Sequence, residues 1–316
     1  MFEYLPNIIF VVVLFLGLYF FSRNLLRLYR NINLGKQINV SDNKKQRFVN
    51  MLKIALGQGK LIKRPVSGFL HVVVYVGFVV INIELLEIVL DGILGSHRLF
   101  SGFMGSFYGY LIGTFEFLAV SVIFAVSVFW IRRNVIKLKR FFGDNMNGWP
   151  KNDANIILYF EVVLMVLFIT MNATDLKFQE MNSGNLISGY VAGFFSDYSS
   201  ETLHFIERAC WWAHIIGILI FMNYLYFSKH LHILLGFPNT YFAKLNSLGE
   251  IDNLNSVTNE VKLMMDPETA FSNDASESDE IDKFGSSDVM DLNKLQLLNS
   301  YSCTECGRCT SVCPAN

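Results

Sequence analysis

Between Val66 and Leu90 the chain reads VSGFLHVVVYVGFVVINIELLEIVL, an apolar run whose only charged or imidazole side chains are His71, Glu84 and Glu87. A hydrocarbon core of about 30 Å takes roughly 20 helical residues to cross. This run is long enough, and four others match it: Leu5–Phe21, Tyr108–Ile131, Ala154–Thr174 and Phe205–Phe227. Composition points the same way. Of 316 residues, 52% are hydrophobic and 17% charged, with 29 Phe, which favours a membrane protein over a soluble one. The first run has no basic start, and Phe20-Phe21-Ser22-Arg23 offers no small-residue cleavage site, so it reads as a retained helix and not a signal peptide. The expected fold is an all-α integral membrane bundle of five helices.

Basic residues set the expected orientation. Ser22–Pro65 holds 11 Lys and Arg, among them Arg23, Arg27, Arg30, Lys44, Lys45, Arg47, Lys63 and Arg64, and Arg132–Asp153 holds six. The two alternate loops carry only Arg98 and Lys177. Positive loops stay in the cytoplasm. The sequence therefore predicts a multi-pass protein of the inner, cytoplasmic membrane, with its N-terminus outside and its C-terminal tail inside. The net charge of −1 makes no case for nucleic acid.

Beyond Gly236 the composition changes. Gly236-Phe237-Pro238 reads as the end of the last helix. The acidic, Ser-rich stretch Asp266–Asp291 reads as a poorly ordered linker, with a short helix expected within Asp288–Asn299. Then comes Cys303-Thr304-Glu305-Cys306-Gly307-Arg308-Cys309-Thr310-Ser311-Val312-Cys313-Pro314. This is the C-x2-C-x2-C-x3-C-P spacing of bacterial ferredoxin-type clusters, in which a tight loop aims thiolates at the corners of one small cube. Gly307 permits a turn that a Cβ would hinder. Zinc sites usually spread paired C-x2-C units along the chain, and disulfides are disfavoured on a reducing side of the membrane. Cys303, Cys306, Cys309 and Cys313 are the expected 4Fe-4S ligands. In two-cluster proteins the fourth cysteine serves the other cluster. The chain therefore looks truncated after its first cluster motif. Cys210 reads as a small packing residue.

Histidines at membrane depth are functional candidates by default. His214 and His232 are 18 residues apart, five turns of an unbroken helix, so both would share one face if the fifth helix ran on to about Leu235. His71 lies early in the second helix and is the expected partner of His232 in an inner bis-histidine haem b. For an outer haem b the expected pair is His214 with His97, in the loop Asp91–Arg98. His230 and His204 fall off the shared face and read as interfacial polar residues. Glu84, Glu87, Glu116 and Glu161 fall within the expected helices and are candidates for proton exchange with a quinone. The alternative reading for each is an ion-paired or interfacial carboxylate.

The segment from Trp211-Trp212-Ala213-His214 to Ser228-Lys229-His230-Leu231-His232, with His71 early in helix two, resembles the gamma subunit of respiratory nitrate reductases. The cysteine run resembles the iron–sulfur subunits of heterodisulfide reductases and glycerol-3-phosphate dehydrogenases. The chain as a whole is similar to a fused membrane-bound, iron–sulfur-binding oxidoreductase. That resemblance implies a haem-b membrane domain over residues 1–235, an acidic cytoplasmic linker over 236–298 and the start of a ferredoxin-like domain over 299–316. It implies an oxidoreductase linked to membrane quinone, with quinone as substrate, in contact with lipid and with a cytoplasmic redox protein or subunit. The absence of a second His on helix two departs from the nitrate reductase pattern. Two other classes stay open on sequence: a haem-free membrane anchor for an iron–sulfur enzyme, and a proton-relaying transporter.

Overall fold

The computed structural model describes residues 4–40, 42–62, 65–143, 146–246, 249–250, 253–265, 284–307, 309–310 and 313–314. Lys63 and Arg64 of the basic segment and residues 266–283 of the acidic linker lie outside them. Among the described residues the fold is all helical, with one isolated bridge between Lys36 and Asn293 in place of any strand. Five helices are long and apolar enough to cross a membrane: α1 (Leu5–Ile32), α3 (Pro65–Leu94), α5 (Ser106–Asn134), α6 (Trp149–Thr174) and α9 (Ser200–Tyr224, extended by a 3-10 turn to Phe227). The shorter α2 (Lys44–Met51), α4 (Leu99–Met104), α7 (Leu176–Glu180), α8 (Ser188–Ala192), α10 (His232–Tyr241), α11 (Asn255–Met265) and α12 (Lys294–Tyr301) fill the connections and the tail.

The spanning helices are apolar around their whole circumference, as segments surrounded by lipid are. Phe69, Phe78 and Val79 of α3, Phe117 and Phe124 of α5, and Ile216 and Ile220 of α9 are all exposed. Their ends carry ordinary signals. Pro150 sits in the first turn of α6, Ser199 caps α9 by accepting from the Thr202 N–H, and Arg132 and Arg133 occupy the last turn of α5.

The chain divides into two compact units, residues 1–25 with 57–232 and 304–316, and residues 26–56 with 233–303. In the first, α3 packs on α5, α5 on α6 and α6 on α9. Phe10, Ile81, Tyr108, Ile112, Phe115, Phe168, Trp211 and Ile215 form the core, with Cys210 packed against it as expected. Phe10 fixes α1 at the edge of this core, its ring centre 5.4 Å from that of Trp211. In the second unit Arg47 is the organising residue. Only 5% exposed, it donates to the carbonyls of Tyr241 and Ala243 and to Asp42 Oδ1. The helix expected within Asp288–Asn299 forms as α12, two to six residues later at its ends. Asn293 and Gln296 close a capping box at its start.

The fifth spanning helix does not run on to Leu235. It breaks at Ser228, which is extended (φ −113°, ψ 158°), and the chain restarts through a 3-10 turn, Lys229–Leu231, into α10. The cause is local polar competition with the helical ladder. Ser228 Oγ accepts from the His230 N–H at 2.9 Å, and Asp153 Oδ2, from α6, accepts from the Lys229 N–H at 2.9 Å. The shared-face argument for His214 and His232 therefore fails. Nor does Gly236-Phe237-Pro238 stop the last helix, since Pro238 lies inside α10, which continues to Tyr241.

Candidate functional site

The break at Ser228 puts His232 at the start of α10, with its ring centre 6.4 Å from that of His71 on α3 and the planes inclined by 51°. Helical phase does not create this pairing; the turn does. His232 Nδ1 lies 2.8 Å from the Lys229 carbonyl, which can only accept, so Nδ1 carries the proton and Nε2 keeps its lone pair. The Nδ1 of His71 is buried without a hydrogen-bond partner among the described residues. His230, read from the sequence as an interfacial polar residue, packs beside His232. Its ring lies 5.5 Å from that of His232 and 6.3 Å from that of Phe221, and its Nδ1 is likewise buried and unpartnered. Burial, with His232, His71 and Lys229 nearby, pushes His230 down to about 3; burial also lowers His232. Both rings are thus neutral near pH 7, the form in which imidazole binds a metal. His204, by contrast, is exposed as expected.

Lys229 connects this histidine group to the cysteine motif. Its ammonium lies 2.7 Å from the Pro150 carbonyl, 3.6 Å from Glu305 Oε2 and 4.0 Å from Asp153 Oδ2. Burial lowers its pKa, while Asp153 and Glu305 work to raise it. Glu305 stands between Cys303 and Cys306. Two residues on, Gly307 has φ +66° and rests so close to the Arg140 carbonyl that a Cβ would collide with it. A glycine is required there on both counts. All four cysteines of the motif are exposed, and none is in a disulfide.

His214 lies elsewhere, 2% exposed, on the wall of a cleft between α3, α5, α6 and α9. Its Nδ1 is 3.0 Å from the Leu164 carbonyl, which again leaves Nε2 as the free lone pair. The expected pairing with His97 is not formed. His97 Nε2 sits 3.2 Å from Asp175 Oδ2 and within 4.8 Å of a Glu207 oxygen. Glu207 precedes His214 by seven residues, about 10 Å along α9. His97, Asp175 and Glu207 have the spacing of a metal-ligand trio, but each carboxylate already meets a guanidinium. Arg98 Nε donates to Asp175 at 2.7 Å and Arg208 Nε to Glu207 at 2.6 Å. Two adjacent positive charges make this an ion-pair network and not a cation site.

Three of the acidic candidates separate into two kinds. Glu116, fully buried, accepts from Asn172 Nδ2 at 3.0 Å and from the backbone N–H groups of Ile187 and Ser188 at 2.8 and 3.0 Å. It caps α8 from across the bundle, so its oxygens are committed to structure and not to a quinone. Glu87 is similarly committed, accepting from the Phe100 N–H and the Tyr108 hydroxyl. Glu84 is different. It is 4% exposed and its Oε2 has no partner among the described residues.

No family model matches the chain, and no solved structure matches it. Two curated proteins do. The probable iron–sulfur-binding oxidoreductase FadF of Bacillus subtilis is 26% identical over 310 residues, covering 98% of this chain and 40% of FadF. The EtfAB:quinone oxidoreductase of Syntrophomonas wolfei is 22% identical over 291 residues, covering 88% of this chain and 36% of that protein. The chain thus spans well under half the length of either relative. Both are oxidoreductases by name.

Sequence reasoning missed Lys229, Asp153, Asp175 and Glu207. One signal was present for Lys229: a lysine followed by two histidines within three residues, near a helix end. Asp153, Asp175 and Glu207 gave none, because their partners come from other helices.

Proposed function

We propose that the chain is the membrane electron-transfer part of an iron–sulfur oxidoreductase, passing electrons between membrane quinone, a haem b and a cytoplasmic 4Fe-4S centre. The observation that carries this reading is the His71–His232 pair. Two imidazoles on opposite faces of one metal, with metal–nitrogen bonds of about 2 Å and about 1.1 Å from nitrogen to ring centre, have centroids about 6 Å apart. The observed 6.4 Å fits. His232 also has the outer hydrogen bond that orients a ligating ring, through Nδ1 to the Lys229 carbonyl. His71 and His232 would hold the haem, which when bound supplies a one-electron carrier inside the membrane. Cys303, Cys306 and Cys309, with Cys313, would hold the cluster, as their spacing requires. The names of the two relatives support iron–sulfur and quinone chemistry respectively.

In this reading the protein's own residues set positions. The Lys229 side chain engages Glu305 in the cysteine motif, and its backbone carbonyl engages His232. A single residue thus touches both proposed cofactor sites. A second haem on His214 and His97 is not part of the proposal, because His97 is held by Asp175.

The test is a visible spectrum of the purified membrane protein, oxidised and dithionite-reduced. A six-coordinate haem b spectrum is expected. It should be lost in both His71→Ala and His232→Ala without loss of membrane insertion. Cluster absorbance with no Soret band would establish a haem-free anchor instead. A colourless protein would return the chain to the transporter class.

A further inference from the structure

The His214 cleft is walled by apolar side chains, Ile81, Leu164 and Phe221 among them, within the membrane-spanning part of the bundle. Two buried polar groups line it with unused capacity. His214 turns Nδ1 to the Leu164 carbonyl and so keeps an accepting Nε2, and Glu84 Oε2 lacks any hydrogen-bond partner among the described residues. A second carboxyl, Glu161, and the side chain of Asn82 also line the cleft. Asn82 is occupied, donating to the Phe78 carbonyl.

An unpartnered buried acceptor is costly, and more so if charged. Such groups call for an occupant that can donate to them. A lipid tail would fill the space and leave both acceptors unsatisfied. A haem would find one imidazole and, with His97 held by Asp175, no second one opposite. A flat apolar ring bearing a hydroxyl at each end satisfies the apolar wall and the two acceptors together. We propose that this cleft binds the ring of a membrane quinol, with its hydroxyls donating to His214 and Glu84. The inference rests on the electron-transfer role proposed above and adds its quinone site.

Position supports the assignment. The cleft begins at Gly77, six residues from His71 on α3, or about 9 Å along the helix axis. At its other end Glu84 also borders the polar pocket of Asp91, His97, Asp175 and Glu207. Glu84 is common to both linings. Its carboxylate would take the hydroxyl proton of the bound quinol and hold it beside polar side chains that lead toward the Ser96–Arg98 loop.

The test uses the full chain, purified in detergent and titrated with the fluorescent quinol analogue 2-heptyl-4-hydroxyquinoline N-oxide. Saturable fluorescence quenching at one site per chain is expected. Glu84→Gln, which keeps the side-chain volume, and His214→Gln should each raise the dissociation constant at least about tenfold, since each replaces a strong carboxylate or imidazole acceptor by a weaker amide one. Ile218→Phe, which narrows the cleft, should do the same without touching a polar group. Absorbance spectra are recorded on every variant. Failure of the wild type to bind, or binding unchanged in Glu84→Gln and Ile218→Phe, overturns the proposal. Loss of part of a Soret band in His214→Gln shows that the cleft holds a second haem, and overturns this proposal while leaving the His71–His232 reading intact. Haem-free protein that still shows the tenfold effects separates the two the other way: the quinol site stands and the haem reading falls.

Discussion

His230 and His232 differ by two positions, and the broken helix gives them different work. His232 faces His71 with Nε2 available, whereas His230 packs its ring on Phe221 and on the flank of His232. If His71 and His232 hold the proposed haem, His230→Ala should retain a six-coordinate spectrum and His232→Ala should lose it. The reverse result in difference spectra would transfer the ligand role to His230. Asp175 gives a second prediction at this scale. Burial works to raise its pKa, but hydrogen bonds from His97 and Arg98, and their charge, hold the carboxyl well below the ordinary carboxylate range. A depressed native pKa means that the stabilisation is fully present above the unfolded value of about 3.9 and is lost only as pH falls through the native one. Thermal melts between pH 5 and 8 should thus show no titration from this group. Asp175→Asn should be destabilised across that whole range, by about 3 kcal/mol, because it leaves Arg98 short of its buried partner. A variant that melted like the wild type at pH 7 would remove Asp175 from the fold's supports.

At the scale of elements, the five spanning helices were legible because a run of some twenty apolar residues outweighs any local detail. Each expected run lies inside an observed helix. The conformation of Gly307 was legible too, since three cysteines in seven residues force a tight turn. What was not legible depended on contacts between helices. The end of α9 at Ser228 is fixed partly by Asp153, 76 residues earlier than the Lys229 it binds. The fate of His97 is fixed by Asp175 on the far side of two helices. His232 lies beside His71 because of the turn at Ser228, and not through a helical face shared with His214. The cysteine loop yields a prediction of its own. Lys229→Met removes the ion pair to Glu305 but leaves the backbone carbonyl that orients His232. Hydrogen exchange in residues 304–310 should accelerate several-fold while the haem spectrum stays unchanged. Equal exchange in the two proteins would show that the Gly307–Arg140 contact holds the loop alone.

At the scale of the whole molecule, packing among apolar helices in lipid gains little from the hydrophobic effect, so buried polar ties carry much of the specificity. Here they collect in two places. Arg98, Asp175, Asn172, Glu87 and Glu116 knit α3, α5 and α6 at one end of the bundle, and Asp153, Lys229 and Arg133 gather at the other, where Glu305 joins them. The second group puts the cysteine loop at the end that carries Arg132, Arg133 and Arg140. These arginines belong to Arg132–Asp153, one of the two sequence segments that together hold 17 basic residues against two in the alternate loops. The cysteine loop thus lies on the side of that basic segment, where Gly307 rests against the Arg140 carbonyl. Since basic loops are retained in the cytoplasm, that side is predicted to be the reducing one, where thiolates remain available for iron. An alkaline phosphatase fused after Phe284 should be inactive, and one inserted at Tyr198, in the exposed turn before α9, should be active. Activity at Phe284 with silence at Tyr198 would invert the protein and place the cysteine motif in an oxidising compartment, where the iron–sulfur assignment could not survive.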